Sequence, residues 1–171
     1  MVPLLALTIL VHVTNLSAAP NAVVRAAQIE ARAIFRDAGV DVEFADDQTA
    51  SAHADIRLIL VQHADGALRN SFDAVLGAAA RTPEGAGTAW VFYEMIAEHS
   101  ERYVVRLSSL LACTIAHEIG HLLQPHPSHE ERGVMRATWR RDEYRRAALG
   151  RLRFNSTDLR GASSAVFTDQ H

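Results

Sequence analysis

The chain has 171 residues, 49% of them hydrophobic, and a net charge of −3 at neutral pH. That size suits one domain with a sizeable core, and the slight negative charge gives no global case for a polyanion or an anionic membrane as partner. The single cysteine, Cys113, excludes an intrachain disulfide and a Cys-rich zinc site.

Leu7, Ile9, Val11 and Val13 alternate with Thr8, Leu10, His12 and Thr14, a period of two that predicts a first strand. The run from Val2 to Val13, followed by Ser17-Ala18-Ala19, also resembles a signal-peptide core and its cleavage site. It lacks a basic flank, however, and His12 interrupts it. We read it as a strand, too short to cross a bilayer as a helix, and expect a secreted or extracytoplasmic location with any leader lying upstream.

Ser17 and Pro20 mark the start of a helix. Its polar stripe is Asn21, Arg25, Gln28, Arg32 and Arg36, its apolar surface is Val24, Ala27, Ile34 and Phe35, and Gly39 ends it. Val40 to Phe44 alternates as a second strand and Ile56 to Val61 is a third, largely buried one. Leu76 to Arg81, small at Gly77 and its Ala neighbours, reads as an edge strand with room for another backbone. Pro83, Gly85 and Gly87 make a turn before a strand over Ala89 to Tyr93. A short helical piece near Glu94 to His99 precedes a long helix from about Ser108 to Leu123, which Pro125 and Pro127 end. A short helix over Arg140 to Leu149 closes at Gly150, and a polar tail follows.

The fold class is therefore α/β (α+β): a twisted mixed sheet of about five strands with a long helix, a second long helix, and a small C-terminal part. It forms one domain over 1–171, with the sheet and helices in 7–124, a returning loop and last helix in 125–155, and the tail in 156–171. All 17 basic residues are Arg. Nine of them lie between Arg132 and Arg160, a run that reads as solvated helix faces rather than a nucleic-acid surface. His12, His53, His63, His99 and Arg57 also read as surface residues.

The chemistry concentrates in the second long helix. His117-Glu118-Ile119-Gly120-His121 is a complete H-E-x-x-H, and on a helix the two His stand one turn apart on one face. Both imidazoles can then reach one Zn²⁺, with Glu118 beside them as a base. Leu110, Leu111, Ile115, Ile119, Leu122 and Leu123 make the helix mostly apolar, suited to burial beneath a cleft. Cys113, four residues before His117, reads as a small buried hydrophobe, the alternative being a place on the ligand face.

A catalytic zinc needs a third protein ligand and an open position. The downstream donors include His126, His129 and Glu143. His129 lies beyond both prolines with slack to fold back, whereas His126 is crowded between them. Glu143 sits on a probable helix 22 residues after His121; its plain reading is a solvated carboxylate among arginines.

Around this motif the chain resembles the metzincin clan of zincin metalloproteases, whose helix reads H-E-x-x-H-x-x-G-x-x-H/D and is followed by a Met-turn beneath the metal. It is similar, more closely, to small bacterial proteins reading roughly H-E-I-G-H-L-L-L-G, a short spacer, H-S, then G-I-M-R-A-x-W. The matching residues here are His117 to Pro125, His129-Glu130, and Gly133-Val134-Met135-Arg136-Ala137-Thr138-Trp139. Gln124 stands where metzincins carry Gly, Pro127 where they carry the third ligand, and Ala137 where some carry a Tyr. The resemblance implies zinc held by His117, His121 and His129, a Met-turn at Met135, and peptide or protein substrates. Glu118 would be the general base for a zinc-activated water, and the edge strand near 76–81 would bind extended substrate. The competing reading is a zinc-bound protein of the same fold that binds or scaffolds without cleaving.

Overall fold

The computed structural model describes residues 8–46, 54–64, 75–81, 87–125, 128–155 and 159. Among them lie five strands and four helices in the order β1 (Thr8–Asn15), α1 (Asn21–Asp37), β2 (Asp41–Asp46), β3 (Ile56–Val61), β4 (Gly77–Arg81), β5 (Gly87–Phe92), α2 (Tyr93–Tyr103), α3 (Leu107–Leu123) and α4 (Arg141–Ala148). The result is a mixed α/β domain built on one mostly parallel sheet.

The sheet order is β2-β1-β3-β5-β4. β1 runs parallel to β2 and β3, and β3 parallel to β5; only β4 is antiparallel, paired with β5 from Gly77 opposite Val91 to Arg81 opposite Gly87. The β1–α1–β2 unit is a parallel crossover, which a helix of this length bridges. The run that alternates at the start of the chain is thus a central strand, with Ile9, Val11 and Val13 buried and their neighbours half-buried or exposed.

β3 repeats the pattern, burying Ile56, Leu58 and Leu60 on the same side. The side chains of the two strands face α1 and α3, which pack side by side through Val24, Ala27, Ala31, Ile34 and Phe35 on one helix and Leu110, Leu111 and Ile115 on the other. Ser108 ties the pair together by donating to Glu30 at 2.8 Å. Because of its 3.6-residue period α1 keeps a polar stripe, whereas α3 is buried on nearly every side and its sequence is correspondingly apolar throughout.

One element differs clearly in extent from the sequence expectation. α2 runs 11 residues, to Tyr103, where a segment near Glu94 to His99 was expected. Its polar surface hides the continuation, since only Ile96 and His99 are buried. It stops at Val104, whose φ of 55° places a β-branched residue in the left-handed region. The turn around Pro83 and Gly85, His53, His126 and nearly all of the tail lie outside the described residues. No helix among the described residues is long and apolar enough to cross a membrane.

Candidate metal centre and its cleft

α3 carries His117 and His121 four residues apart, and the chain beyond Gln124 turns back to present His129 to the same point. Three local features set that return. Buried Gln124 accepts a hydrogen bond from the Ser128 amide at 3.0 Å, Glu130 N–H donates to the Met135 carbonyl at 2.9 Å, and Val134 N–H donates to Arg153 at 2.9 Å. Met135 is fully buried against α3. Gly120 makes that approach possible, since a Cβ there would lie 2.6 Å from Met135 Sδ and 3.0 Å from Phe154. The Gly120 of the motif is therefore a packing requirement of the loop beneath the site.

The imidazoles of His117, His121 and His129 converge, with their ligand atoms within 4.8 Å of one another. His121 Nε2 lies 3.1 Å from His117 Nε2 and 3.2 Å from His129 Nε2. A tetrahedral ion with metal–nitrogen bonds of 2.0–2.1 Å spaces its ligands about 3.3 Å apart, so these separations fit one shared cation. The donor chemistry agrees. His117 Nδ1 lies 2.7 Å from the Val134 carbonyl, which can only accept, so Nδ1 carries the proton and Nε2 presents a lone pair inward. Burial, only partly offset by that carbonyl, holds His117 near a pKa of about 4. Burial and the two neighbouring imidazoles hold His121 at about 4. Both rings are thus neutral at physiological pH, the state a metal requires. His121 Nδ1 is buried without a hydrogen-bond partner among the described residues, so this ring lacks the outer support that His117 has.

Glu118 is 5% exposed, and burial pushes its carboxyl up to about 8. It opens with His117 into a cleft of about 240 Å³ whose far wall is aromatic, formed by Trp139, Tyr103 and Tyr144. Trp139 stands edge-on to His117 with centroids 6.1 Å apart, and its indole N–H donates at 3.1 Å to the same Val134 carbonyl that His117 uses. The near wall includes Leu76, the residue that leads into β4. A Cβ on Gly77 would lie 2.7 Å from Glu118 Cγ, Glu118 Oε1 and the Trp90 carbonyl, so the edge strand rests directly on the Glu118 side chain. Arg81, at the far end of β4, donates to the carbonyls of Leu122 and Gln124 and fastens the strand to the end of α3. Gly77→Ala should therefore displace either β4 or Glu118. We expect a loss of about 1–3 kcal/mol in denaturant unfolding, and a Glu118 pKa that differs from the parent's.

Two sequence-based readings change, those of Glu143 and His99, while Cys113 is the small buried hydrophobe expected. Glu143 is neither ligand nor solvated carboxylate. It is 3% exposed, accepts from the Arg140 amide at 2.9 Å as the reciprocal cap of α4, and pairs with Arg136 at 3.6 Å. Cys113 is buried on the α1 side, facing away from the ligands beside Glu30 and Ile34, and burial drives its thiol to about 12. His99 is not a surface residue. It is buried, its Nδ1 lies 2.6 Å from the Tyr144 hydroxyl, and burial followed by the Arg102 charge lowers its pKa. Sequence reasoning also passed over Thr114 and Tyr103 as cleft residues. The i, i+4 spacing of His99 and Tyr103 on α2 was the available signal, but their partner Tyr144 is about forty residues away.

No family model matches this chain, and a search of curated proteins finds no match. The three His are close enough to bind a metal ion, and among the described residues theirs is the one such cluster.

Proposed function

We propose that the chain is a zinc-dependent peptidase of the metzincin type, with His117, His121 and His129 as ligands and Glu118 as general base. One observation carries the proposal: three imidazoles, two of them held neutral by burial, meet beside a buried carboxyl that holds a proton near neutrality and opens into a cleft. Zinc in that position supplies Lewis acidity toward a scissile carbonyl and a water molecule. Glu118 takes the proton of the attacking water on its carboxylate and gives it to the leaving amine nitrogen, which suits a group titrating near the working pH. Val134 holds the His117 ring through Nδ1, and β4, the edge strand among the described residues, offers its outer side to an extended substrate.

A second reading, a metal-held binding module of the same fold without peptidase activity, draws on the depth of Glu118 beneath Gly77. One experiment separates the two. Purified protein with measured zinc content is incubated with a peptide library, then chelated, then resupplied with zinc. Cleavage that disappears with the chelator and returns with zinc supports the peptidase. Stoichiometric zinc with no cleavage at any peptide selects the binding module, and no metal uptake removes both.

A further inference from the structure

Tyr103 and Tyr144 stack face to face, with centroids 3.7 Å apart and planes 6° from parallel. They form a partition. On one side is the cleft with His117 and Glu118; on the other is an open groove of about 520 Å³ lined by Arg102, Val104, Arg141 and Arg145. Arg102 borders both spaces.

The three arginines are exposed. Among the described residues no carboxylate lines the groove, and two of the acids nearest in sequence are already paired. On α4, Asp142 pairs with Arg146 at 2.9 Å and Glu143 with Arg136 at 3.6 Å. On α2, Glu98 and Glu101 form no ion pair among the described residues, and neither Arg102, Arg141 nor Arg145 does so. A local excess of positive charge is thus concentrated along one groove, in a chain whose net charge is negative. The rim carries a second anomaly: Val104, 86% exposed, is held at φ 55°. A β-branched residue in that region costs on the order of 1–3 kcal/mol, and such strain gathers at binding sites.

We infer that this groove is an exosite for an acidic stretch of the peptide whose neighbouring segment occupies the metal cleft; the inference rests on the peptidase reading for that neighbouring segment. Arginine and aromatic rings together also suit nucleic acid. Here, though, each tyrosine spends one face on the other, while His99 and Trp139 flank the pair, leaving little ring surface for a base to stack upon. Carboxylates, by contrast, need only the exposed guanidinium forks.

The test reads binding, so it does not depend on cleavage. Two fluorescent peptides share one core and end in four Glu or four Gln. Their anisotropy is titrated with the zinc-supplied full chain, with Arg141→Glu/Arg145→Glu, and with Arg141→Gln/Arg145→Gln as the milder change, each checked for folding by circular dichroism. The Glu-tailed peptide should bind the parent about tenfold more tightly at low salt, with the advantage shrinking as ionic strength rises. Both variants should lose that advantage and bind the Gln-tailed peptide as the parent does. Equal binding of the two tails, or an advantage that survives in the variants, overturns the exosite. So does a single-stranded oligonucleotide of equal charge that binds the groove more tightly than the peptide. A Glu preference without hydrolysis rejects the peptidase reading alone.

Discussion

Glu118→Gln should keep its zinc and lose turnover by about 10²–10⁴-fold, the usual contribution of a positioned general base. Gln has nearly the shape of Glu, so the packing under Gly77 and the three His are undisturbed, and the change isolates the proton-carrying role. The same variant makes a second, opposite-signed statement about stability. Burial raises the Glu118 carboxyl from 4.5 to about 8 in the folded protein. Between those values the folded state holds a proton that the unfolded state releases, so the metal-free parent loses stability as pH climbs through that window. The Gln variant carries no such cost. Chelated Glu118→Gln should therefore match the parent near pH 4 and melt above it at pH 8 and beyond. The neutral, low-pKa His117 and His121 act in the other direction. Their contribution is present above about pH 6.5 and is lost as pH falls toward 4, equally in both proteins, so it cancels from the difference. Undiminished peptide cleavage by the variant would sink the assignment of Glu118 as base.

His129→Ala should leave the metal-free protein almost unchanged and remove most of the gain from zinc. The residue is exposed, so truncating it costs within about 0.5 kcal/mol in the absence of metal. Binding stabilises a fold by about 4 kcal/mol at a free metal concentration a thousand times the dissociation constant. For a chain of this size that corresponds to roughly 8–16 °C in Tm. Thermal melts of both proteins, chelated and zinc-supplied, give the answer as a double difference. A variant that gains as much from zinc as the parent would place the third ligand elsewhere.

The parts of this molecule legible in its sequence are those governed by short periods. β1 and β3 alternate because one face of each meets α1 and α3, and the H-E-x-x-H reads cleanly because a helix alone fixes its geometry. What escaped depends on chain returning from a distance. Glu143 looks solvated among arginines until Arg140 and Arg136 take its two oxygens, and His99 looks exposed on a polar helix until α4 brings Tyr144 over it. The return of His129 was the intermediate case. The prolines marked a break, but Gln124, the Val134–Arg153 hydrogen bond and the Met135–Gly120 contact decide where the loop lands.

The Val134 carbonyl receives two donors, the His117 ring and the Trp139 indole. Whatever changes the charge or coordination of the first alters, through a single shared oxygen, the electronic surroundings of the second. The candidate metal site thus shares one oxygen with an indole, with Trp90 on β5 as the other indole of the chain. Emission at Trp139 should therefore change as the three His take up a metal, a titration that needs no added label.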